Sequence, residues 1–387
     1  MATRAVNDRP HLVDTTLFFS PTSGGVKRYL TAKHAWLTAH TRWQHTLVVP
    51  GARDRTERGG TCTLAGYPVP GSFNYRLPLD PRRWTRLIEA LEPDLIEAGD
   101  AFHPAWVAWR IARRRGIPLA AFYHSNLPRI ISGRIGGRVS ERALGRYVSW
   151  LYERFDVVFA PSRLMRDLLD ALGVHHAVHQ PLGVDAEVFR PERRGEWLRQ
   201  RLGLAAQTRL LVYAGRFAGE KNVPVLLEAF AQLGSPYHLL LLGGEREGRP
   251  ASNVTMVPYR RDSVELAEWL ASADALVHAG TKETFGLVVL EAMACGRPVV
   301  AARAGAFPEL VDEGVGMLAE PGSGTRMAEA IAALYERDIE ALGAAARARV
   351  LRRFTWSRAF QRQMATYHAL LGRARVGVPA REAVETS

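Results

Sequence analysis

Two cations stand in one loop of the second half of the chain, directly after a strand-like run. Arg216 and Lys221 lie five residues apart in YAGRFAGEKN. An arginine offers a rigid fork for phosphate oxygens, and a lysine offers a mobile point charge. The pair is therefore suited to a ligand that carries phosphate groups. Two exposed loop cations that bind nothing are the ordinary alternative.

Two carboxylates follow in ETFGLVVLEAMAC, where seven residues separate Glu283 from Glu291. Glu291 is the only charge between Phe285 and Cys295, and a helix that is apolar on all sides is expected to be buried. Because burying an unpaired carboxylate is costly, Glu291 needs a partner. That partner is either a ligand near the end of the helix or a buried Arg or Lys. For Glu283 the ordinary alternative is an acid that stabilises a helix start.

A glycine-rich turn in the first half is a third candidate for binding an anion. In FFSPTSGGVKRYL a strand is predicted to end near Ser20, and a helix follows Gly24 and Gly25. Glycines at a helix start let backbone amides approach a phosphate, and the helix dipole favours the negative charge. A turn without a ligand is the alternative.

A second helix start follows Glu283. The strand-like run ALVHAG ends near Gly280, and the helix is predicted to begin at Phe285 or Gly286. The first amides of a helix have no partner inside the helix and attract negative charge. We therefore expect the amides of residues 284–287 to form an exposed N-terminus.

Strand-like apolar runs alternate with amphipathic helical stretches, which predicts parallel sheets covered by helices on both faces. Two such series predict the fold class α/β, with two Rossmann-like doubly wound parallel-sheet domains facing a cleft. Ligands of such sheets bind at the carboxyl ends of the strands, where the candidate residues lie. The predicted strands are residues 16–20, 45–51, 94–99, 118–125, 156–162 and 176–183, then 209–215, 237–244, 253–259, 275–280 and 297–305.

A polar stretch, residues 185–207, separates the two series of strands. We predict one domain over residues 1–186 and a second over residues 187–354. A last segment, residues 355–387, is predicted to hold a helix followed by a frayed tail.

Composition excludes several classes of protein. The chain has 387 residues, 47% hydrophobic and 23% charged, as expected for a soluble enzyme of two domains. Its two cysteines, Cys62 and Cys295, exclude a disulfide framework and a four-cysteine zinc site, and they favour a reducing compartment. No apolar run approaches about 20 residues, and the N-terminus lacks the apolar core of a signal peptide. We therefore expect a cytoplasmic protein.

The net charge of +12 leaves several partners open. A basic protein binds nucleic acid, an anionic membrane surface or a phosphorylated small molecule, or its charges are simply scattered and solvated. Nucleic acid ranks last, because no nucleic-acid-binding motif is present. Residues 128–147 mix Arg with Ile, Val and Leu, which suits either an anionic membrane surface or an ordinary surface helix.

Together these motifs resemble the retaining glycosyltransferases of family 4, which have the GT-B fold. The resemblance covers roughly residues 15–355 and depends on the two cations, the two carboxylates and the stretch EAMACGRPVVA. SGGVKRYL, FYHS, PSRLMRDLLDALGV and PLGVDAEVFRP occupy the matching places in the first domain and at the passage to the second. The motif ETFG departs at Thr284 from the family's common EGFG, which puts the shape of the loop near the sugar, and the choice of sugar, in doubt.

The resemblance implies a role for each matching residue. Arg216 and Lys221 would hold the donor diphosphate and neutralise the leaving group. Glu291 would bind the ribose hydroxyls, and Glu283 would face the donor sugar as a catalytic residue. His124 would lie near the reacting carbon of the sugar, where it would orient and polarise. Further donor-binding groups would be Gly24 and Gly25, which let the first domain close on the diphosphate, the backbone near Tyr259, and the amides of Thr284, Phe285, Gly286 and Leu287.

The implied function is transfer of a glucose- or mannose-type hexose from a UDP- or GDP-sugar to a hydroxyl acceptor. The acceptor would be a glycan or lipid-linked glycan of the cell envelope, bound by the first domain, and residues 355–375 would cross back to that domain. Attack on the face from which the leaving group departs would need no metal and no cofactor. Peripheral contact with an anionic membrane would be possible, and nucleic acid would not be a partner. A nucleotide-sugar epimerase of the same fold and a non-catalytic scaffold remain the alternatives.

Overall fold

A computed structural model describes residues 9–20, 24–70, 74–127, 137–244, 247–260 and 262–376. The chain divides into two compact units. Unit 1 contains the residues up to Pro181 together with those from Ala359 onward, and unit 2 is Leu182–Arg358. These divisions lie close to the predicted boundaries at 186 and 354. In the described ranges, no helix has both the length and the apolar character that crossing a membrane requires.

Unit 1 is built on a seven-stranded sheet of order β3-β2-β1-β6-β7-β8-β9, in which all neighbours are parallel. Its strands are β1 (His11–Thr15), β2 (Gln44–Gly51), β3 (Thr61–Ala65), β6 (Leu95–Ala98), β7 (Leu119–Phe122), β8 (Val157–Ala160) and β9 (Ala177–His179), and a small antiparallel pair is formed by β4 (Tyr67–Pro68) and β5 (Arg76–Leu77). The helices between them are α1 (Gly25–His40), α2 (Pro81–Ala90), α3 (His103–Arg115), α4 (Gly137–Tyr152) and α5 (Arg163–Ala171).

Unit 2 repeats this design with a sheet of order β12-β13-β11-β10-β14-β15-β16, in which only the edge pair β12–β13 is antiparallel. Its strands are β10 (Arg209–Ala214), β11 (Tyr237–Gly244), β12 (Gly248–Ala251), β13 (Val254–Pro258), β14 (Ala275–His278), β15 (Val299–Ala302) and β16 (Gly316–Ala319). Its helices are α6 (Trp197–Leu202), α7 (Val223–Leu233), α8 (Ser263–Ser272), α9 (Leu287–Ala294), α10 (Phe307–Leu310), α11 (Gly324–Leu334) and α12 (Ile339–Arg353), followed by α13 (Trp356–Val376), the last helix in the described residues.

The two parallel-sheet α/β units confirm the predicted fold class, and all predicted strands except the first overlap observed strands. The prediction of a strand at residues 16–20 is wrong, because β1 ends at Thr15. Sequence reasoning passed over HLVDT because a histidine and an aspartate break its apolar pattern. Both side chains are nevertheless buried, since each finds partners inside the unit.

The partners of Asp14 belong to a buried polar network in unit 1. Lys33 of α1 donates to Asp14 of β1 at 3.0 Å and to Glu97 of β6 at 2.8 Å, and all three side chains are at most 2% exposed. His45 of β2 lies 2.9 Å from the other oxygen of Asp14. Tyr29 of α1 donates to Glu97 at 3.0 Å. Such charges are tolerated in an apolar core only when they are paired and hydrogen-bonded.

The last helix completes this network. Gln363 of α13 donates to Glu97 Oε2 at 3.0 Å, and the hydroxyl of Tyr367 donates to the same oxygen. Lys33 in turn donates to the Tyr367 hydroxyl at 2.8 Å. Burial raises the pKa of the Glu97 carboxyl, although Lys33 opposes the shift. Unit 1 therefore draws part of its buried hydrogen bonding from residues at the far end of the sequence.

Both units contain buried histidines, and those described here are neutral at physiological pH. Burial lowers the pKa of His238 and of His278 to about 4, and that of His124 to about 3. The pKa values of His11 and His45 are also lowered, again mainly by burial. The unfolded chain therefore binds protons below about pH 6.5 that the folded chain does not bind, so acid destabilises the fold.

A substitution at His238 tests this acid sensitivity. Its Nε2 lies 2.9 Å from Thr255 Oγ1 inside the sheet of unit 2, and glutamine can keep that contact without titrating. We expect the unfolding free energy of the wild type to fall faster than that of His238→Gln as the pH drops from about 6.5 to about 4, by up to about 1.4 kcal/mol per pH unit. Urea unfolding across that range measures the difference. The exposed His40→Gln serves as control, and a wild-type slope in His238→Gln would contradict the assignment.

Candidate functional site

The strand order of unit 2 changes direction at β10, which has β11 on one side and β14 on the other. In an open parallel sheet, the loops that follow two such strands diverge and leave a crevice where ligands bind. β10 ends at Ala214 and β14 ends at His278. Arg216 and Lys221 lie on the first of these loops and Glu283 lies on the second, so the structure brings the predicted cations and the first carboxylate to one place.

The first loop is held in a defined shape. The buried hydroxyl of Tyr213 donates to the carbonyl of Arg216 at 2.8 Å. A short 3-10 turn, Gly219–Lys221, follows and leads into α7 at Val223, as predicted. Arg216 itself is exposed. The loop thus keeps its backbone fixed while presenting a guanidinium to solvent.

Hydrogen bonds tie the two loops to each other. The Asn222 amide donates to the carbonyl of Ala279 at 3.1 Å, and the backbone N–H of Thr281 donates to the carbonyl of Glu220 at 3.2 Å. Asn222 has a left-handed backbone with φ +50°, a conformation that asparagine tolerates better than most residues. The positions of Lys221 and Glu283 are therefore set together.

Lys221 and Glu283 form an ion pair, with side chains that are 18% and 17% exposed. Burial alone would raise the pKa of the Glu283 carboxyl, but Lys221, helped by His278 and Arg216, holds that pKa below its ordinary value. Glu283 is therefore ionised at physiological pH. Both charged groups of this ion pair are reachable by solvent. Lys221 can therefore bind the phosphate of a ligand, and Glu283 can bind its hydroxyl groups.

The helix that follows Glu283 begins slightly later than predicted. α9 starts at Leu287, and Gly286 precedes it with φ +100°. A side chain at Gly286 would be strained by this backbone and would also come within 3.0 Å of the Phe307 ring. Phe285 is buried, and its ring packs against that of Phe354 at a centroid distance of 6.4 Å. Because the Phe285 side chain is buried, this residue can bind a ligand only through its backbone. Thr284 and Leu287 are half-buried.

Glu291 is the fifth residue of α9 and is 2% exposed. The helix around it is buried, as the apolar sequence predicts, and every residue from Val289 to Ala294 belongs to the buried set. At the far end of α9, Arg347 donates to the carbonyl of Phe189 at 2.8 Å and also to that of Ala294. This arginine satisfies the end of the helix, and the ribose-binding role of Glu291 stays a prediction.

Tyr259 follows directly on Pro258, the last residue of β13, and is half-buried. It therefore stands at the same carboxyl edge of the sheet as the two loops. Its predicted contact with a nucleotide base stays a prediction.

The remaining predicted residues, Gly24, Gly25 and His124, belong to unit 1. α1 begins at Gly25, and a side chain at Gly24 would meet no atom of the described residues within 4 Å. His124 follows β7, is 8% exposed and stacks on Phe122 at a centroid distance of 4.2 Å. Since burial keeps its imidazole neutral, His124 can orient a group but is not a ready proton donor.

Sequence reasoning missed two residues that shape this site. Asn222, just before α7, joins the loops, and His278, the last residue of β14, lies 3.6 Å from Glu283 Oε1. Asn222 could have been found from its place directly before a predicted helix start, where asparagine is a common N-cap residue. The signal for His278 was a titratable side chain at the end of an apolar strand.

Two family models together cover most of the chain. Residues 23–188 match "Glycosyltransferase Family 4", and residues 208–337 match "Glycosyl transferases group 1".

Two relatives come from Mycobacterium tuberculosis. A GDP-mannose-dependent alpha-(1-6)-phosphatidylinositol dimannoside mannosyltransferase is 29% identical over 95% of this chain and 98% of its own length. A GDP-mannose-dependent alpha-mannosyltransferase is 32% identical over 75% of this chain and 77% of its own.

Among solved structures, sucrose-phosphate synthase from Thermosynechococcus elongatus superposes with a TM-score of 0.78 at 22% identity, covering 94% of this chain and all of that one. At this identity the likeness shows the fold alone.

Proposed function

Since the chain belongs to the glycosyl transferases of group 1, family 4, we propose that it moves a hexose from a GDP- or UDP-sugar to a hydroxyl acceptor with retention of configuration. That it is a glycosyltransferase follows from its family. The sugar, the base, the stereochemistry and the acceptor are the proposal.

The observation that carries the proposal is the grouping of Arg216, Lys221 and Glu283 on two loops joined to each other at the point where the strand order of unit 2 reverses. A nucleotide sugar offers a diphosphate for the two cations and sugar hydroxyls for the carboxylate. The start of α9 follows Glu283 immediately, and helix N-termini favour anions.

The proposed reaction breaks the bond between the anomeric carbon and the diphosphate oxygen and forms a new bond from that carbon to the acceptor oxygen. Negative charge develops on the departing nucleoside diphosphate, where preorganised cations and amides stabilise it most. Attack on the same face lets the leaving phosphate take the acceptor proton, so no protein base is needed. For Gly24, Gly25 and His124 we propose the roles that the resemblance implies, at the diphosphate and at the reacting carbon.

GDP-mannose is the first donor to test, because the names of both mycobacterial relatives contain it. We propose that the Arg216–Lys221 pair takes the place of a metal at the diphosphate. The test is a mass-spectrometric screen of nucleotide sugars with simple mannoside and inositol-containing acceptors, run with and without EDTA. Transfer that persists in EDTA is expected. Failure of every donor to give product or hydrolysis would overturn the proposed function, and a 2-epimer from donor alone would replace it.

The two carboxylates are expected to respond differently to neutral substitution. Glu291→Gln should raise the donor KM by about 10-fold with a smaller change in kcat, because it removes a charged acceptor of hydroxyl hydrogen bonds. Glu283→Gln should lower kcat more than it raises KM, because this carboxylate is proposed to face the reacting sugar. Steady-state kinetics of the two variants measures the split. Wild-type constants in both would refute the assignment.

We also propose a lipid-linked acceptor, since one relative is named for a phosphatidylinositol dimannoside.

An aromatic patch in unit 1 supports contact with a membrane. Trp106 of α3 and Trp150 of α4 pack at a centroid distance of 4.8 Å, and the Arg154 guanidinium lies 3.9 Å from the Trp150 ring. Amphipathic aromatic side chains beside arginines suit an anionic lipid interface. Exposed arginines on the same two helices include Arg110, Arg113, Arg142 and Arg146. Of the stretch 128–147 considered from sequence, residues 128–136 lie outside the described residues.

Vesicle co-sedimentation tests this patch. The wild type should sediment with phosphatidylglycerol vesicles more than with phosphatidylcholine vesicles, and Trp150→Ala with Arg154→Glu should reduce that binding several-fold, because the change removes both the aromatic anchor and the cation. Leu164→Ala, at an exposed leucine of α5, is the control. Equal sedimentation with both lipids, or an unchanged double variant, would count against membrane contact.

A further inference from the structure

The side chain of His278 is fixed in place beside Glu283. It is 1% exposed and is the last residue of β14. Its ring packs between the rings of Tyr213, at a centroid distance of 5.2 Å, and Phe307, at 4.9 Å. The imidazole can therefore move little, and its two nitrogens have fixed directions.

One of these nitrogens is assigned by the backbone. The N–H of Gly280 donates to Nδ1 of His278 at 3.0 Å. Because a backbone amide can only donate, Nδ1 must accept, and the ring proton of the neutral imidazole is left on Nε2. A side chain at Gly280 would come within 2.6 Å of the ring, so this contact depends on glycine.

The protonated nitrogen faces the reactive loop. Nε2 of His278 lies 3.6 Å from Glu283 Oε1, the oxygen that Lys221 also approaches. The main chain of Glu283 is fixed as well, because its carbonyl accepts from the N–H of Ala306 at 3.0 Å. Glu283 is thus held by its backbone and by one cation. In addition, a small movement would bring the neutral N–H of His278 into hydrogen-bond distance of its carboxylate.

Lys221 cannot serve Glu283 and a diphosphate equally well. Three N–H groups of an ammonium can be shared, but a phosphate with two or more negative charges competes strongly for the cation. When the cation turns to the diphosphate, a carboxylate of low exposure loses its main stabilising contact. A neutral N–H donor near the same carboxylate oxygen can compensate without competing for the phosphate.

We propose that His278 is a positioning residue, whose Nε2–H holds the Glu283 carboxylate in its reactive orientation while Lys221 binds the donor diphosphate. The proposal rests on the proposed function for the identity of the donor. Packing between two rings explains the presence of a flat side chain at this position. It does not explain a glycine that leaves room for the Nδ1 contact, or a second nitrogen directed at the catalytic carboxylate.

Two substitutions separate positioning from packing. His278→Phe keeps a flat ring and loses both nitrogens, whereas His278→Gln can keep an N–H donor near the position of Nε2. We expect His278→Phe to lower kcat on the order of 100-fold with a donor KM within a few-fold of the wild type, because a misplaced catalytic group has effects of this size. His278→Gln should recover most of the loss. His238→Phe, at a buried histidine of β11 away from the loops, should leave kcat unchanged.

A readout that needs no turnover completes the test. Long-range proton–nitrogen NMR of the ring should show the Nε2–H tautomer, and the Nε2 resonance should shift in Glu283→Ala and on addition of GDP to the wild type. If His278→Phe retains wild-type kcat, or if His278→Gln and His278→Phe are equally impaired, the positioning role is overturned while the transferase stands. If the tautomer and the Glu283 shift are found but no nucleotide sugar reacts, the contact stands and the proposed function fails.

Discussion

Replacing Lys221 with methionine is expected to slow sugar transfer by about 10²- to 10³-fold, the loss typical of removing one preorganised group that stabilises developing negative charge. Methionine keeps the length and much of the volume of the side chain but carries no charge. Two effects then act together. The departing diphosphate loses a cation, and Glu283 loses its ion-pair partner, so its pKa rises and less of it is ionised near neutral pH.

The decisive measurement is kcat with saturating nucleotide sugar. Lys282→Met is the matched control, since Lys282 is the exposed neighbour of Glu283 on the same loop and has no proposed role. The control should stay close to the wild type. If Lys221→Met turned over as fast as Lys282→Met, the cation would have no part in the leaving-group step, and the assignment of this loop would be wrong.

Replacing Lys33 with methionine is expected to lower the free energy of unfolding by about 3–5 kcal/mol, the usual consequence of removing one partner from a buried ion pair. Asp14 and Glu97 would then remain in the core without their shared cation, and Tyr367 would lose a donor. The effect should concern unit 1, to which all four residues belong. Urea unfolding followed by circular dichroism measures it.

Glu97→Leu in the same chain provides the internal control. With both Lys33 and Glu97 replaced, Asp14 keeps its contact with His45 and fewer buried charges are left unpaired. The double variant should therefore be more stable than the sum of the two single effects predicts, as coupled residues generally are not additive. Strict additivity, or a loss in Lys33→Met below about 1 kcal/mol, would show that the network contributes no more than a surface ion pair.

The sequence was informative where one physical effect dominates. Buried parallel strands are apolar, so the alternation of strands and helices predicts the α/β class, and ligand sites follow strand ends, so the loops with Arg216 and Glu283 could be selected. The edge strands β3 and β16 escaped notice because neither Thr61–Ala65 nor Gly316–Ala319 is a long apolar run. β1 escaped because polar side chains inside a core are stable only through partners that are distant in sequence, such as Lys33 and His45 for Asp14.

The candidate site was predictable by residue type but not by contact. The two loop cations indicate a ligand that carries phosphate groups. Nothing local in the sequence, however, shows that Lys221 pairs with Glu283, which lies 62 positions later. His278 was passed over for the same reason, because its importance comes from a backbone amide two residues later and a carboxylate five residues later. At Phe285 the ring fills the core, and the predicted binding of the donor by its backbone amide stays a prediction.

The buried network of unit 1 has a consequence for how the protein is made. Lys33, Asp14 and Glu97 leave the ribosome early, but Gln363 and Tyr367, which complete their hydrogen bonds, are translated only after the whole of unit 2. At about 5–20 residues per second, the wait between Glu97 and Gln363 lasts roughly 13–53 s. During that time unit 2 can fold as a continuous segment while the older unit still lacks a helix. Unit 1 therefore begins to be translated before unit 2 but can complete its buried hydrogen bonds only after unit 2 has been translated.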